Sequence, residues 1–191
     1  MLVKPFHYIS KSESELVLKT LKSKHHKVII LLMLDCGLRV SEACSIKFKN
    51  FDFKNRTITL QSLKKKAKSL RTIPISDRLY QCLGVYLHTY KEELNPNNFL
   101  FPSKKNQNWH ISRKTIWGVL KNLKSKTLIQ NLHPHTLRHS FATHHLSAGT
   151  SLAEIKEMLG HKSYNTTLIY AEIPTEKLKE RVNAVTSKPL T

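Results

Sequence analysis

Apolar positions in the first fifty residues recur at intervals of three and four, the spacing of one face of an α-helix. Ser12-Glu13-Ser14-Glu15 predicts a capping box that opens an amphipathic helix carrying Leu16, Leu18 and Leu21. A second, more apolar helix is predicted over 26–36, stopping at Gly37. Ser41 predicts the cap of a short third helix through Ile46, which leaves Arg39 in a tight turn between two helices. A side chain in such a turn projects from a rigid frame.

At Thr57 the period changes to two. Thr57-Ile58-Thr59-Leu60 predicts one strand and Arg71-Thr72-Ile73-Pro74-Ile75 its partner, joined by a basic hairpin tip, Lys64-Lys65-Lys66-Ala67-Lys68. Helical spacing returns over 77–90, a turn follows at Asn95-Pro96-Asn97-Asn98, and Phe99-Leu100-Phe101 predicts a third short strand. Further helices are predicted over 112–123, over 134–147 with Pro134 in the first turn and Gly149 past the end, and from a Ser151 cap to Gly160. A short helix within 165–173, carrying Tyr170, and a terminal amphipathic helix over 175–185 complete the pattern. No internal repeat or low-complexity linker divides the chain. The reading is one domain over 1–191, mainly α with a small antiparallel β-sheet (α+β).

Composition narrows the function. Lys and Arg number 32 against 13 Asp and Glu, a formal charge of +19, so the long-range field favours a polyanion such as nucleic acid. No apolar run reaches the roughly 18 residues that a membrane-spanning helix needs, and the N-terminus lacks the apolar core of a signal peptide. Cys36, Cys44 and Cys82 are odd in number and widely spaced, which points to reduced thiols and a cytoplasmic location.

Candidate chemistry begins at Arg39 and is densest in the last third of the chain. Arg39 and Arg138 can each present a planar fork of donors to phosphate oxygens. His135 lies three residues before Arg138, so on one helix the two share a face. His135 and His139 also have the spacing of a zinc-binding helix. Position 136 is Thr where that motif needs Glu, and Arg138 would repel a cation, so no metal site is expected. Tyr170, nine residues after His161, is a candidate nucleophile; Tyr164 falls only three after it.

Taken in order, Gly37-Leu38-Arg39-Val40-Ser41-Glu42, the lysine hairpin, Pro134-His135-Thr136-Leu137-Arg138-His139, Leu159-Gly160-His161 and Tyr170 resemble the signature of the tyrosine recombinase, or phage integrase, family. The resemblance covers nearly the whole chain and implies the fold of that family's catalytic domain. It also implies that Tyr170 attacks the scissile phosphate of double-stranded DNA. The products are a 3′-phosphotyrosyl enzyme and a free 5′ hydroxyl, and a second 5′ hydroxyl then rejoins the strand without ATP, nicotinamide or metal. The family's spacing to the strand proline, counted back from Pro74, selects Lys66 as general acid, with Lys65 as the fallback. His135 and His161 then orient the phosphate and assist proton transfer, while Lys64, Lys65, Lys68 and Arg71 are expected to track DNA phosphates.

The resemblance further implies a homotetramer on DNA, with 174–191 as a tail helix exchanged between protomers, and it admits accessory recombination proteins. Members of the family commonly carry a separate DNA-clamping domain before the first arginine, and almost nothing precedes Ser12 here. Two other readings stay open. A type IB topoisomerase-like enzyme would share the chemistry without strand exchange, and a non-catalytic DNA-binding protein would need none of these residues in order.

Overall fold

The computed structural model describes residues 7–61, 70–89 and 95–160. The lysine tip at 64–68 and the helices expected within 165–173 and over 175–185 lie outside the described residues. The element order is α1 (Lys11–Thr20), α2 (Lys24–Asp35), α3 (Val40–Ser45), a 3₁₀ turn (Phe48–Asn50), β1 (Phe51–Asp52), β2 (Thr57–Gln61), β3 (Leu70–Pro74), α4 (Asp77–Thr89), α5 (Arg113–Thr127), α6 (Pro134–Ser147) and α7 (Leu152–Leu159). The predicted class, mainly α with a small antiparallel sheet, is the one observed.

The core is built around α2. All seven residues of the run Val28 to Leu34 are buried, so this helix is apolar on every side and is surrounded by α1, α3, α4 and α6. At about 25 cal/mol per Å² of apolar surface buried, this run contributes substantially to stability. Beside it, an ion-pair cluster ties three helices together: Arg78 of α4 grips Asp35 at the end of α2 through two nitrogens, 2.7 and 2.5 Å, and reaches Glu15 of α1 at 2.7 Å.

Three local expectations are corrected. The first helix is capped by Ser10, whose Oγ accepts from the Glu13 amide at 3.1 Å while Glu13 accepts from the Ser10 amide at 2.7 Å. The Ser-x-x-Glu spacing occurs at both 10–13 and 12–15, and the earlier register buries Ser14, Val17 and Leu18. The third helix begins at Val40, with Arg39 in the cap position, because the Glu42 carboxylate reaches back to the Arg39 amide at 2.7 Å. The third strand is Phe51–Asp52, in the sheet order β1-β2-β3. Phe99-Leu100-Phe101 forms only an isolated bridge, Lys47 with Phe99. Leu100 is satisfied otherwise: its amide donates to the Ile46 carbonyl at 2.8 Å and its carbonyl accepts from the Tyr86 hydroxyl at 2.8 Å.

The sheet register decides which side chains face the core. Ile58 pairs with Ile73 and Leu60 with Arg71, and all four are buried. Thr59 and Thr72 pair on the opposite face, their hydroxyls 3.1 Å apart. Arg71 therefore points inward, toward α3 and α7.

Candidate active site

The α2–α3 turn, the first turns of α6 and the end of α7 meet at one place. Gly37 shapes the turn with φ of +61°, a conformation that costs L side chains roughly 1 kcal/mol. A Cβ there would lie 2.6 Å from a ring carbon of Phe141 and 2.7 Å from Leu159. The turn is thus pressed directly against α6 and α7.

Arg138 fixes that junction. It is buried on α6, where one guanidinium nitrogen donates to the Gly37 carbonyl and the other to the Leu159 carbonyl at 2.6 Å. It pins the α2–α3 turn and the C-terminal end of α7 to one planar group. The orphan carbonyls at a helix C-terminus carry partial negative charge, so an arginine there is electrostatically matched.

Arg39 approaches the same end of α7. Its second guanidinium nitrogen lies 3.5 Å from the Gly160 carbonyl, its first donates to Glu42 at 3.0 Å, and its side chain is 39% exposed. Arg39 and Arg138 thus share one helix terminus, Arg138 as an inner brace and Arg39 as the solvent-facing cation.

Glu42, three residues after Arg39, links this set. Its carboxylate accepts from the Arg39 amide, the Arg39 guanidinium and Arg71 Nη2, the last at 2.7 Å, and its side chain is 3% exposed. Burial alone pushes this carboxyl up, but the hydrogen bond and charge of Arg71, with the Arg39 contacts, outweigh it and hold the group below the usual carboxylate range. The recognisable signal was an acid three residues after Arg39 in a chain with only 13 acids.

Arg71, expected as a DNA contact, is corrected. Its side chain is 9% exposed, paired with Glu42, and packed on Gly160, where a Cβ would come within 2.7 Å of its Nη1. Period two puts Arg71 on the face of Ile73 and Ile75, so its inward direction was legible in the strand pattern. It acts as a brace behind Arg39 and Gly160.

His135 is exposed in the first turn of α6, one turn before Arg138. His139, 6.5 Å from it between ring centres, is pushed down to about 4 by burial and by the charges of His135, Arg138 and His133, so it is neutral near pH 7. Among the described residues no group of three or more His, Cys, Asp or Glu is placed to hold a metal ion. No described helix is long and apolar enough to cross a membrane. Lys64, Lys65, Lys66, Lys68, His161 and Tyr170 lie outside the described residues, although Gly160, the neighbour of His161, is placed at the junction with φ of +64°.

The chain is similar to known proteins in sequence and in fold. The sequence profile of the phage integrase family matches residues 7–177. Tyrosine recombinase XerA of Pyrococcus horikoshii is 34% identical over 175 residues, covering 91% of this chain and 59% of its own length. The XerA of Pyrococcus furiosus is 38% identical over 156 residues, 82% of this chain and 53% of its own. The chain thus spans a little over half the length of these curated relatives. A crystal structure of XerA recombinase superposes with a TM-score of 0.78 at 27% identity, over 97% of this chain and 68% of that one.

Proposed function

Since this chain belongs to the phage integrase family, we propose that it is a site-specific recombinase that cuts and rejoins double-stranded DNA through a 3′-phosphotyrosyl intermediate on Tyr170. The observation that carries the reading is the convergence of Arg39 and Arg138 on the end of α7, immediately before His161, with Glu42 holding Arg39 in place. A phosphodiester under attack gains charge on its non-bridging oxygens, and preorganised cationic donors stabilise that charge most in a site whose groups are already held. Arg39 is held by Glu42, and Glu42 by Arg71, so the arginine fork is oriented before DNA arrives.

In this mechanism Arg39 and Arg138 bind the non-bridging oxygens and His135 approaches the phosphate from the first turn of α6. Lys66 protonates the departing 5′ oxygen, with His161 assisting. The Tyr170 hydroxyl passes its proton to His161 as its oxygen forms the new P–O bond and the 5′ O–P bond breaks, so the phosphodiester becomes a phosphotyrosine ester. A 5′ hydroxyl reverses the step and restores the strand. Lys64, Lys65 and Lys68 contact flanking phosphates, consistent with the charge of +19. Strand exchange between two sites requires a homotetramer, for which the 174–191 tail is the proposed link, and accessory proteins can order the sites.

The test is a nicked suicide substrate incubated with the full chain in EDTA and resolved on a denaturing gel. The reading expects a covalent protein–DNA band at undiminished yield, because no step uses a metal. A nicked or cut product that appears only with added Mg²⁺ and carries no protein would contradict it.

A further inference from the structure

His133 occupies the N-cap of α6, the helix that carries both His135 and Arg138. Ser, Thr, Asp and Asn are the usual residues there, since their oxygens accept a hydrogen bond at any neutral pH. Here the Thr136 amide donates to His133 Nδ1 at 3.2 Å, and His133 Nε2 lies 3.0 Å from the Thr136 hydroxyl. One protonation state satisfies both contacts: a neutral ring with its proton on Nε2, donating to the hydroxyl, and a bare Nδ1 accepting from the amide. Thr136 is fully buried, so water cannot readily replace a lost partner for its amide.

The ring is held in that pose from the side. Trp117 of α5 stacks on it with centres 6.2 Å apart and planes 18° from parallel, and the His135 ring meets it edge-on, 6.4 Å away between centres. We propose that His133 is a positioning residue for strand cleavage, holding the first turn of α6 and through it His135 and Arg138, and that it does so only while neutral. The proposal rests on the cleavage reading above.

Protonation turns Nδ1 from acceptor into donor and sets it against the Thr136 N–H, which opens the cap. The surroundings oppose that change. Burial lowers the ring below its ordinary value, and the electrostatic influence of the facing groups, His135 on its own helix, His7 of the N-terminal segment and Lys124 of α5, lowers it too. The positive end of the α6 dipole acts in the same direction. Because the folded value is depressed, the cap is intact above about 6.5 and is lost as pH falls through the folded value.

The experiment compares wild type, His133→Ala and His133→Asn in the full chain by two readouts. In the free ¹⁵N-labelled protein, the Thr136 amide should shift with a midpoint below 6.5 in wild type, and most of that step should vanish in His133→Asn. On the suicide substrate at pH 7.5, His133→Ala should form adduct roughly fivefold more slowly, the rate equivalent of one lost cap, and His133→Asn should restore the rate. Below pH 6, His133→Asn should retain more of its own pH 7.5 rate than wild type does. An unchanged Thr136 titration in His133→Asn, or a wild-type rate in His133→Ala, would overturn the assignment. If wild type formed no adduct at any pH, the cleavage reading would fall, while the amide titration would still decide whether His133 is the cap.

Discussion

At the residue scale the account turns on Glu42, a buried acid between two arginines. Glu42→Gln removes the charge that compensates Arg71, and breaking one partner of a buried pair costs about 3–5 kcal/mol. Urea unfolding should show that loss. The pH dependence has a definite sign: because the Glu42 carboxyl is held below its ordinary 4.5, its stabilisation is present above that value and is lost as pH falls through the lower folded value. Wild-type stability should therefore drop steeply on acidification below about 4.5, and the Gln variant should show a shallower slope there. Equal slopes would remove Glu42 from the account.

The two arginines separate by the same logic. Each should slow adduct formation about a hundredfold when changed to Ala, the effect of losing one preorganised donor, roughly 3 kcal/mol. Only Arg138→Ala should also lower the melting temperature clearly, since Arg138 is buried and ties two backbone carbonyls, while Arg39 is partly exposed. A melting loss in Arg39→Ala as large as in Arg138→Ala would mean that Arg39 braces the fold as Arg138 does, against its exposure.

At the element scale, the end of α7 is the part that cannot shift without moving everything else. Gly160 combines a positive φ with a Cβ position 2.7 Å from Arg71. Gly160→Ala should destabilise the protein by more than the roughly 1 kcal/mol of left-handed backbone strain, because the buried Arg71 must move as well. It should also slow cleavage, since Arg39 and Arg138 both address this helix end. Chemical denaturation and adduct rate measured on the same sample check both; a variant stable to within 1 kcal/mol of wild type would show that the approach of Arg71 is not constraining.

Much of this scale was legible from the pattern of the chain. The long helices, the two paired strands of the hairpin and the cap at Ser151 follow from period and capping residues. Errors arose where two local signals of equal quality competed, as with Ser10 and Ser12, or where a tertiary contact satisfied the backbone first, as at Leu100. For Arg71 charge and strand position point to opposite sides, and its place in the two-residue period sets its direction. The His133 cap escaped notice because histidine rarely fills that position, and only the fold shows its ring beside the Thr136 amide.

At the scale of the whole molecule, the charge of +19 predicts DNA affinity that falls steeply with salt. Charge reversal of Lys64 and Lys68 together should flatten the slope of log affinity against log salt by about two, the number of phosphate contacts removed. A slope unchanged in the double variant would place the basic tip off the DNA. The central claim is chemical: Tyr170 becomes joined to the 3′ phosphate at the cut. It is tested most directly by trapping the adduct on a suicide substrate, digesting it with protease and nuclease, and locating the modified residue by mass spectrometry. The account predicts a 3′-phosphonucleotide on the peptide containing Tyr170, with Tyr170→Phe forming no adduct while retaining DNA binding. A modified Tyr164, a 5′-phosphate linkage, or adduct persisting in Tyr170→Phe would contradict it.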